Sequence, residues 1–120
     1  NIKMRKVLCF DIDNIICKTK NSNYQDSIPI KKNIQTINKL KKKGFIIKLF
    51  TSRYMGRNKE NKIQAKKEGY NFTKKQLKSW GLNYNVLIFG KPTFDLYIDD
   101  KNLEYDKNWS VKLLKKFKLK

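Results

Sequence analysis

Histidine is absent from the 120 residues, and arginine nearly so, with three against 26 lysines. No His-based triad can be built, and a structural zinc site loses its usual nitrogen ligand. Two cysteines, Cys9 and Cys17, are too few for a disulfide framework. Without histidine, neither has the usual base partner of a cysteine nucleophile. Cys9 lies within an apolar run and reads as a small core residue. No apolar run approaches the ~20 residues that span a bilayer, so membrane insertion is not expected. The opening Asn1-Ile2-Lys3-Met4-Arg5-Lys6 has no apolar stretch of signal-peptide length, so a cytoplasmic location is expected. The chain does not begin with Met; a start at Met4 and a piece of a longer chain both fit.

Acidic residues are also scarce, ten against 29 basic ones, which leaves a formal net charge of +19. Such a charge is the footprint of a nucleic-acid or acidic-membrane binder. A compositional account competes with that reading. Lys, Asn and Ile (26, 13 and 13 residues) are the commonest types, and all are favoured by AT-rich codons. Nucleic-acid readers lean on arginine for bidentate and stacking contacts, and its scarcity favours the compositional account. Either way, a positive surface attracts anionic substrates.

With 39% apolar and 12% aromatic residues, the length suits one folded domain over residues 1–120. Short apolar runs of buried-strand type occur at Val7–Phe10, Ile46–Phe50, Val86–Phe89 and Phe94–Ile98. Between the first two, Ile30, Ile34, Ile37 and Leu40 share a helical face that starts near Pro29 and stops at Gly44. Strand, helix and strand make a βαβ unit, and near-continuous apolar strands suit a parallel sheet covered on both faces. Arg53 to Tyr70 is polar with little periodicity and reads as a solvated helix or a loop. Thr73 with Gln76 has the pattern of a capping box opening a short helix that ends at Gly81. Trp109, Leu113 and Phe117 predict a last amphipathic helix.

Chemistry-bearing residues stand directly after each apolar run. They are Asp11 and Asp13, then Thr51, Ser52 and Arg53, then, past Gly90, Lys91, then Asp99 and Asp100. In an open parallel α/β sheet all strand C-termini open onto one edge, where ligands bind. Four carboxylates gathered there repel unless a cation neutralises them. Oxygen-only ligands favour a hard ion, Mg²⁺ before Ca²⁺. Each acid taken alone is also an ordinary loop former or helix cap.

Asp11-Ile12-Asp13, Phe50-Thr51-Ser52-Arg53, Gly90-Lys91-Pro92 and Ile98-Asp99-Asp100, in that order, resemble the four motifs of the haloacid-dehalogenase-like (HAD) phosphatases. The resemblance runs from about Val7 to Lys101. Within that superfamily, Tyr97-Ile98-Asp99-Asp100-Lys101 and Gln76-Leu77-Lys78-Ser79-Trp80-Gly81 are similar to small capless members found with capsule and surface-polysaccharide genes. It implies a three-layer α/β sandwich around a parallel, doubly wound sheet, without a large cap domain. It implies a Mg²⁺-dependent phosphomonoesterase that acts through an aspartyl phosphate. Asp11 would be the nucleophile, and Asp13 would protonate the leaving alcohol and then activate water. Thr51 would bind a phosphoryl oxygen and Lys91 would neutralise charge. Asp11, Asp13, Asp99 and Asp100 would be the metal set.

The intervals between the motifs are too short for a large cap, so the site is expected to be open. Thr51, Ser52, Arg53, Tyr54, Arg57 and Lys91 are the candidate substrate contacts. The expected substrate is a sugar phosphate or a phosphorylated small alcohol. Two alternatives stand beside it: a phosphatase for nucleic-acid 3′ ends, and a catalytically weak binding domain of the same fold. The second follows from a departure. Ile15 occupies the position where the family pattern has Thr, which predicts a less well supported motif loop.

Overall fold

The computed structural model describes residues 5–118. Asn1–Met4, part of the opening that lacks a signal-type stretch, and Leu119 and Lys120 lie outside them.

Three runs become a parallel sheet. β1 (Val7–Phe10), β4 (Ile46–Thr51) and β5 (Val86–Phe89) lie in the order β1-β4-β5. The register pairs Phe10 with Leu49, and Thr51 with Phe89. Along β4 the side chains alternate, with Ile47, Leu49 and Thr51 fully buried and Ile46, Lys48 and Phe50 half-buried. A two-residue ribbon, β2 (Cys17–Lys18) with β3 (Ile28–Pro29), follows β1 and was not evident from the pattern.

α1 (Lys31–Lys42) connects this ribbon to β4 and buries Ile34, Ile37 and Leu40, the face that the periodicity predicts. Each such side chain removed from water stabilises the fold by about 1.5–3 kcal/mol. The helix ends as the sequence implies. Gly44 takes φ +109°, the Phe45 N–H reaches back to the Leu40 carbonyl, and β4 begins. α3 (Trp109–Lys116) seats Trp109 and Leu113 in the core. No helix among the described residues is long and apolar enough to cross a membrane.

Three expectations need correction. The first concerns Thr73, which lies in the middle of α2 (Lys62–Ser79), an 18-residue helix, and caps nothing. The cap is Asn61, whose Oδ1 accepts the Gln64 N–H at 3.0 Å. The buried face of α2 is Ala65, Gly69, Thr73 and Leu77, spaced four apart. Three of the four are small or polar, so hydrophobic periodicity could not reveal it.

The second concerns Phe94–Ile98, which is not a strand. Leu96 and Ile98 are 77% and 89% exposed. The Phe94 and Tyr97 rings sit 4.8 Å apart. In an extended strand residues three apart point to opposite faces, so that ring contact requires a turn here. The sheet therefore has three strands, not four, and the four strand ends of the sequence reading reduce to three. The third concerns Cys9, which is exposed because it points to the sheet face opposite Phe10, where Val7, Ile46, Lys48, Phe50, Val86 and Ile88 are also exposed or half-buried, so that this face is not covered as expected.

Candidate active site

The C-terminal ends of β1, β4 and β5 bring Asp11, Asp13, Thr51 and Lys91 to one edge of the sheet. Gly90, at φ +100°, turns the chain out of β5. The Lys91 N–H then bonds the Thr51 carbonyl at 3.1 Å, which fixes the lysine backbone against the end of β4. Its ammonium reaches Asp11 Oδ2 at 3.3 Å. The Lys91 side chain is only 12% exposed, against 36% for that of Asp11. Phe94 and Tyr97 lie over the same ammonium, with ring centroids 5.3 and 5.0 Å from Nζ. These two aromatics were not among the expected site residues. In a strand they would have lain on opposite faces.

Asp11 Oδ1 accepts the Ile12 N–H at 2.8 Å. Burial pushes the Asp11 carboxyl up from its ordinary value, and Lys91 and the Ile12 N–H oppose that rise. Thr51 is fully buried, and its hydroxyl oxygen accepts the Arg53 N–H at 3.1 Å.

Arg53 is placed differently from the expected substrate contact. It is 1% exposed and turns inward. Its Nε donates to both oxygens of Asp13 at 3.2 and 3.0 Å, and Nη2 donates to Oδ1 at 2.9 Å. Nη1 donates to Gln76 Oε1 at 2.7 Å and to the Thr73 hydroxyl at 3.4 Å. The Tyr24 ring covers the guanidinium at 4.7 Å. Thr19 gives Asp13 Oδ1 a further hydroxyl donor at 2.6 Å. Arg53 is thus a holder of Asp13, and the polar residues Thr73 and Gln76 are buried or half-buried to serve it. A fork of this kind fixes a carboxylate in position and direction.

Tyr54 follows in the left-handed region at φ +68°, and Lys59 and Glu60 nearby are also left-handed. Residues other than glycine hold this conformation only where the surroundings enforce it. Here the Tyr54 ring lies on Gly69 of α2, where an added Cβ would fall 2.1 Å from Cδ2. The Tyr24 ring lies 4.8 Å away, and the Tyr54 N–H donates to the Tyr24 hydroxyl at 3.3 Å. Arg57 stacks on the Tyr54 ring at 4.7 Å and pairs with Glu68 at 3.1 Å, half exposed. Tyr24, in the 3-10 turn Tyr24–Asp26, was missed because nothing in its local sequence marks it. Ser52 is half-buried, and its carbonyl takes the Met55 N–H.

Asp99 and Asp100 do not join this edge. Both are exposed, and Asp99 Oδ1 accepts the Lys101 N–H at 3.0 Å, a contact that lowers the Asp99 pKa. Among the described residues no three acidic, Cys or His side chains gather closely enough to share an ion. Asp13 has both oxygens on Arg53, and Asp11 Oδ2 faces Lys91. The described residues as placed do not form the Mg²⁺ site that the resemblance implies.

Ile15 also departs from expectation. It packs partly buried against the core, and its motif loop is well supported. The Ile12 carbonyl collects the N–H groups of Ile15, Ile16 and Cys17, and Asn33 donates to the Ile15 carbonyl at 2.7 Å. One surface hollow, about 540 Å³, is elsewhere. It lies at the opposite end of the strands beside Lys39, Lys42 and Tyr84, away from all of these groups.

Comparison with known proteins shows the fold alone. One similar solved structure is that of an MCSG target from Vibrio cholerae, at 21% identity and a TM-score of 0.77, covering 93% of this chain and 98% of that one. No family model matches the chain, and no curated protein does.

Proposed function

We propose that this chain hydrolyses a small phosphate monoester, with Asp11 as nucleophile. The observation that carries the reading is the Lys91–Asp11 pair at the strand-end edge, pinned by the Lys91 N–H on the Thr51 carbonyl. An anion-binding cation and a nucleophilic carboxylate thereby share one partly open edge, next to the Thr51 end of β4. Asp11 attacks phosphorus, the bond from phosphorus to the alcohol oxygen breaks, and the alcohol leaves with a proton from the Asp13 carboxyl. Water then attacks the aspartyl phosphate, Asp13 takes its proton, and inorganic phosphate departs. Lys91 offsets the charge on the transferring group throughout. Arg53 and Thr19 hold Asp13 for both transfers.

This reading agrees with the resemblance to the capless HAD phosphatases, and with it come a sugar phosphate or phosphorylated small alcohol as substrate and a cytoplasmic site of action. The wall formed by Tyr24, Tyr54 and Arg57 is the proposed contact for the alcohol. The resemblance alone adds a Mg²⁺ requirement to the proposal, since the described carboxylates as placed do not gather around an ion. A panel of sugar phosphates and a 3′-phosphorylated oligonucleotide, each assayed with Mg²⁺ and with EDTA, tests the whole. Turnover of the small monoesters with Mg²⁺ supports it; full activity in EDTA contradicts the metal requirement. One observation favours the second reading, a non-catalytic binding domain: Arg53 occupies both oxygens of the group that must exchange a proton. Phosphate binding without turnover of any monoester would establish it.

A further inference from the structure

Asn33 stands third in α1, between exposed lysines and isoleucine, and is 6% exposed. Its side chain does not cap the helix. Nδ2 donates to the Ile15 carbonyl at 2.7 Å and to the Tyr105 hydroxyl at 2.9 Å, while Oδ1 accepts the Trp109 Nε1–H at 3.1 Å. Its contacts therefore reach the motif loop on one side and the C-terminal segment on the other. Trp109 makes a second approach to that loop. Its ring meets Phe10 edge-on at 5.6 Å, and Phe10 immediately precedes Asp11. The segment 105–109 thus reaches both ends of the stretch that carries Asp11 and Asp13, directly at Phe10 and through Asn33 at Ile15.

Between those ends the loop is a tight knot. Asn14 sits at φ +69° and donates to the Cys17 carbonyl at 2.6 Å, while the Ile12 carbonyl accepts three N–H groups. A knot of this kind turns as a body, so a shift at the Ile15 carbonyl is passed to Asp13. Displacements of about 1 Å at reacting groups cost on the order of a hundredfold in rate.

We propose that Asn33 is a positioning residue for the Asp11–Cys17 loop, and that through it Tyr105 and Trp109 hold Asp11 and Asp13 in register. The kinetic part rests on the phosphatase reading above; the structural coupling does not. The test uses the full chain with Asn33→Ala, Tyr105→Phe, Trp109→Phe, and Leu40→Ala as a destabilised control at the far end of α1. Turnover and KM are measured per folded molecule, well below each melting temperature, and the backbone amide signals of Asp11–Cys17 are followed by NMR. Tyr105→Phe removes one hydroxyl at a part-exposed ring, so its folding is not in question.

The expected result is a kcat lowered about threefold to fivefold in Tyr105→Phe and Trp109→Phe and more in Asn33→Ala, with KM unchanged, since each variant frees one hydrogen bond or more. The loop amides move in all three variants, and Leu40→Ala changes neither readout. Unmoved loop amides in Tyr105→Phe and Trp109→Phe overturn the proposal. So does a kcat that merely follows the folded fraction. If the wild-type chain hydrolyses no monoester, the functional reading fails by itself, and the amide signals still decide the coupling.

Discussion

Replacing Arg53 by methionine keeps most of the volume and removes the charge and every donor. The Arg53 side chain is fully buried, and that of Asp13 is 22% exposed. Breaking a buried pair by removing one partner costs about 3–5 kcal/mol, because the other charge is stranded. The partial exposure of Asp13 returns some hydration, which points to the lower end, about 3 kcal/mol. Gln76 Oε1 loses its donor as well, for about 1 kcal/mol more. Extra apolar burial by methionine returns about 1 kcal/mol. The net loss is about 3 kcal/mol, or roughly 10 °C in Tm for a domain of this size. Urea unfolding followed by the fluorescence of Trp80 and Trp109 reads it directly, as a midpoint lower by about 2 M at an ordinary slope. Adding Asp13→Asn removes the stranded charge, so the double variant should be more stable than Arg53→Met alone. A single variant within about 1 kcal/mol of wild type would refute the inward guanidinium. So would a double variant in which the two losses simply add.

Gly69→Ala should destabilise the chain by about 1–3 kcal/mol although alanine is the better helix former, because its Cβ collides with the Tyr54 ring; adding Tyr54→Ala should reverse the sign. Thermal melts of the two variants decide this. Ile15→Thr should lower Tm and leave turnover no higher, since the hydroxyl would enter an apolar contact without a partner; a gain in turnover would contradict that packing. Asp106 is half-exposed, and its carboxyl is held below the ordinary range first by Lys112 and then by the Asn108 N–H. A depressed folded value means that its contribution is present above the unfolded pKa and fades as pH falls through the folded one. Side-chain NMR titration should therefore show Asp106 protonating at lower pH in the folded chain than in urea, and Lys112→Ala should bring the two together.

The sequence made three strands, two helices and the strand-end edge legible for a physical reason: each rests on local signals. Ile34, Ile37 and Leu40 fall on one turn of the period, and Gly44 and Gly81 stop their helices at positive φ. Asp11, Thr51 and Lys91 stand at or just past strand ends, so a parallel sheet alone brings them together. What was missed depends on distant partners. The buried face of α2 consists of small and polar groups because Tyr54 lies on Gly69 and Arg53 bonds Thr73, and neither partner is near in sequence. Tyr24, Asn33 and Gln76 gain their roles only from contacts made across the fold. The apolar content of Phe94–Ile98 predicts a strand, whereas Phe94 and Tyr97 turn together onto Lys91.

The most direct measurement of the central claim is the turnover of Asp11→Asn on whichever monoester the wild-type chain hydrolyses best. The substitution preserves volume and removes the nucleophilic oxygen. The predicted result is a folded protein whose kcat falls by about three decades or more. A folded variant that keeps more than about a tenth of wild-type turnover would show that Asp11 forms no covalent intermediate.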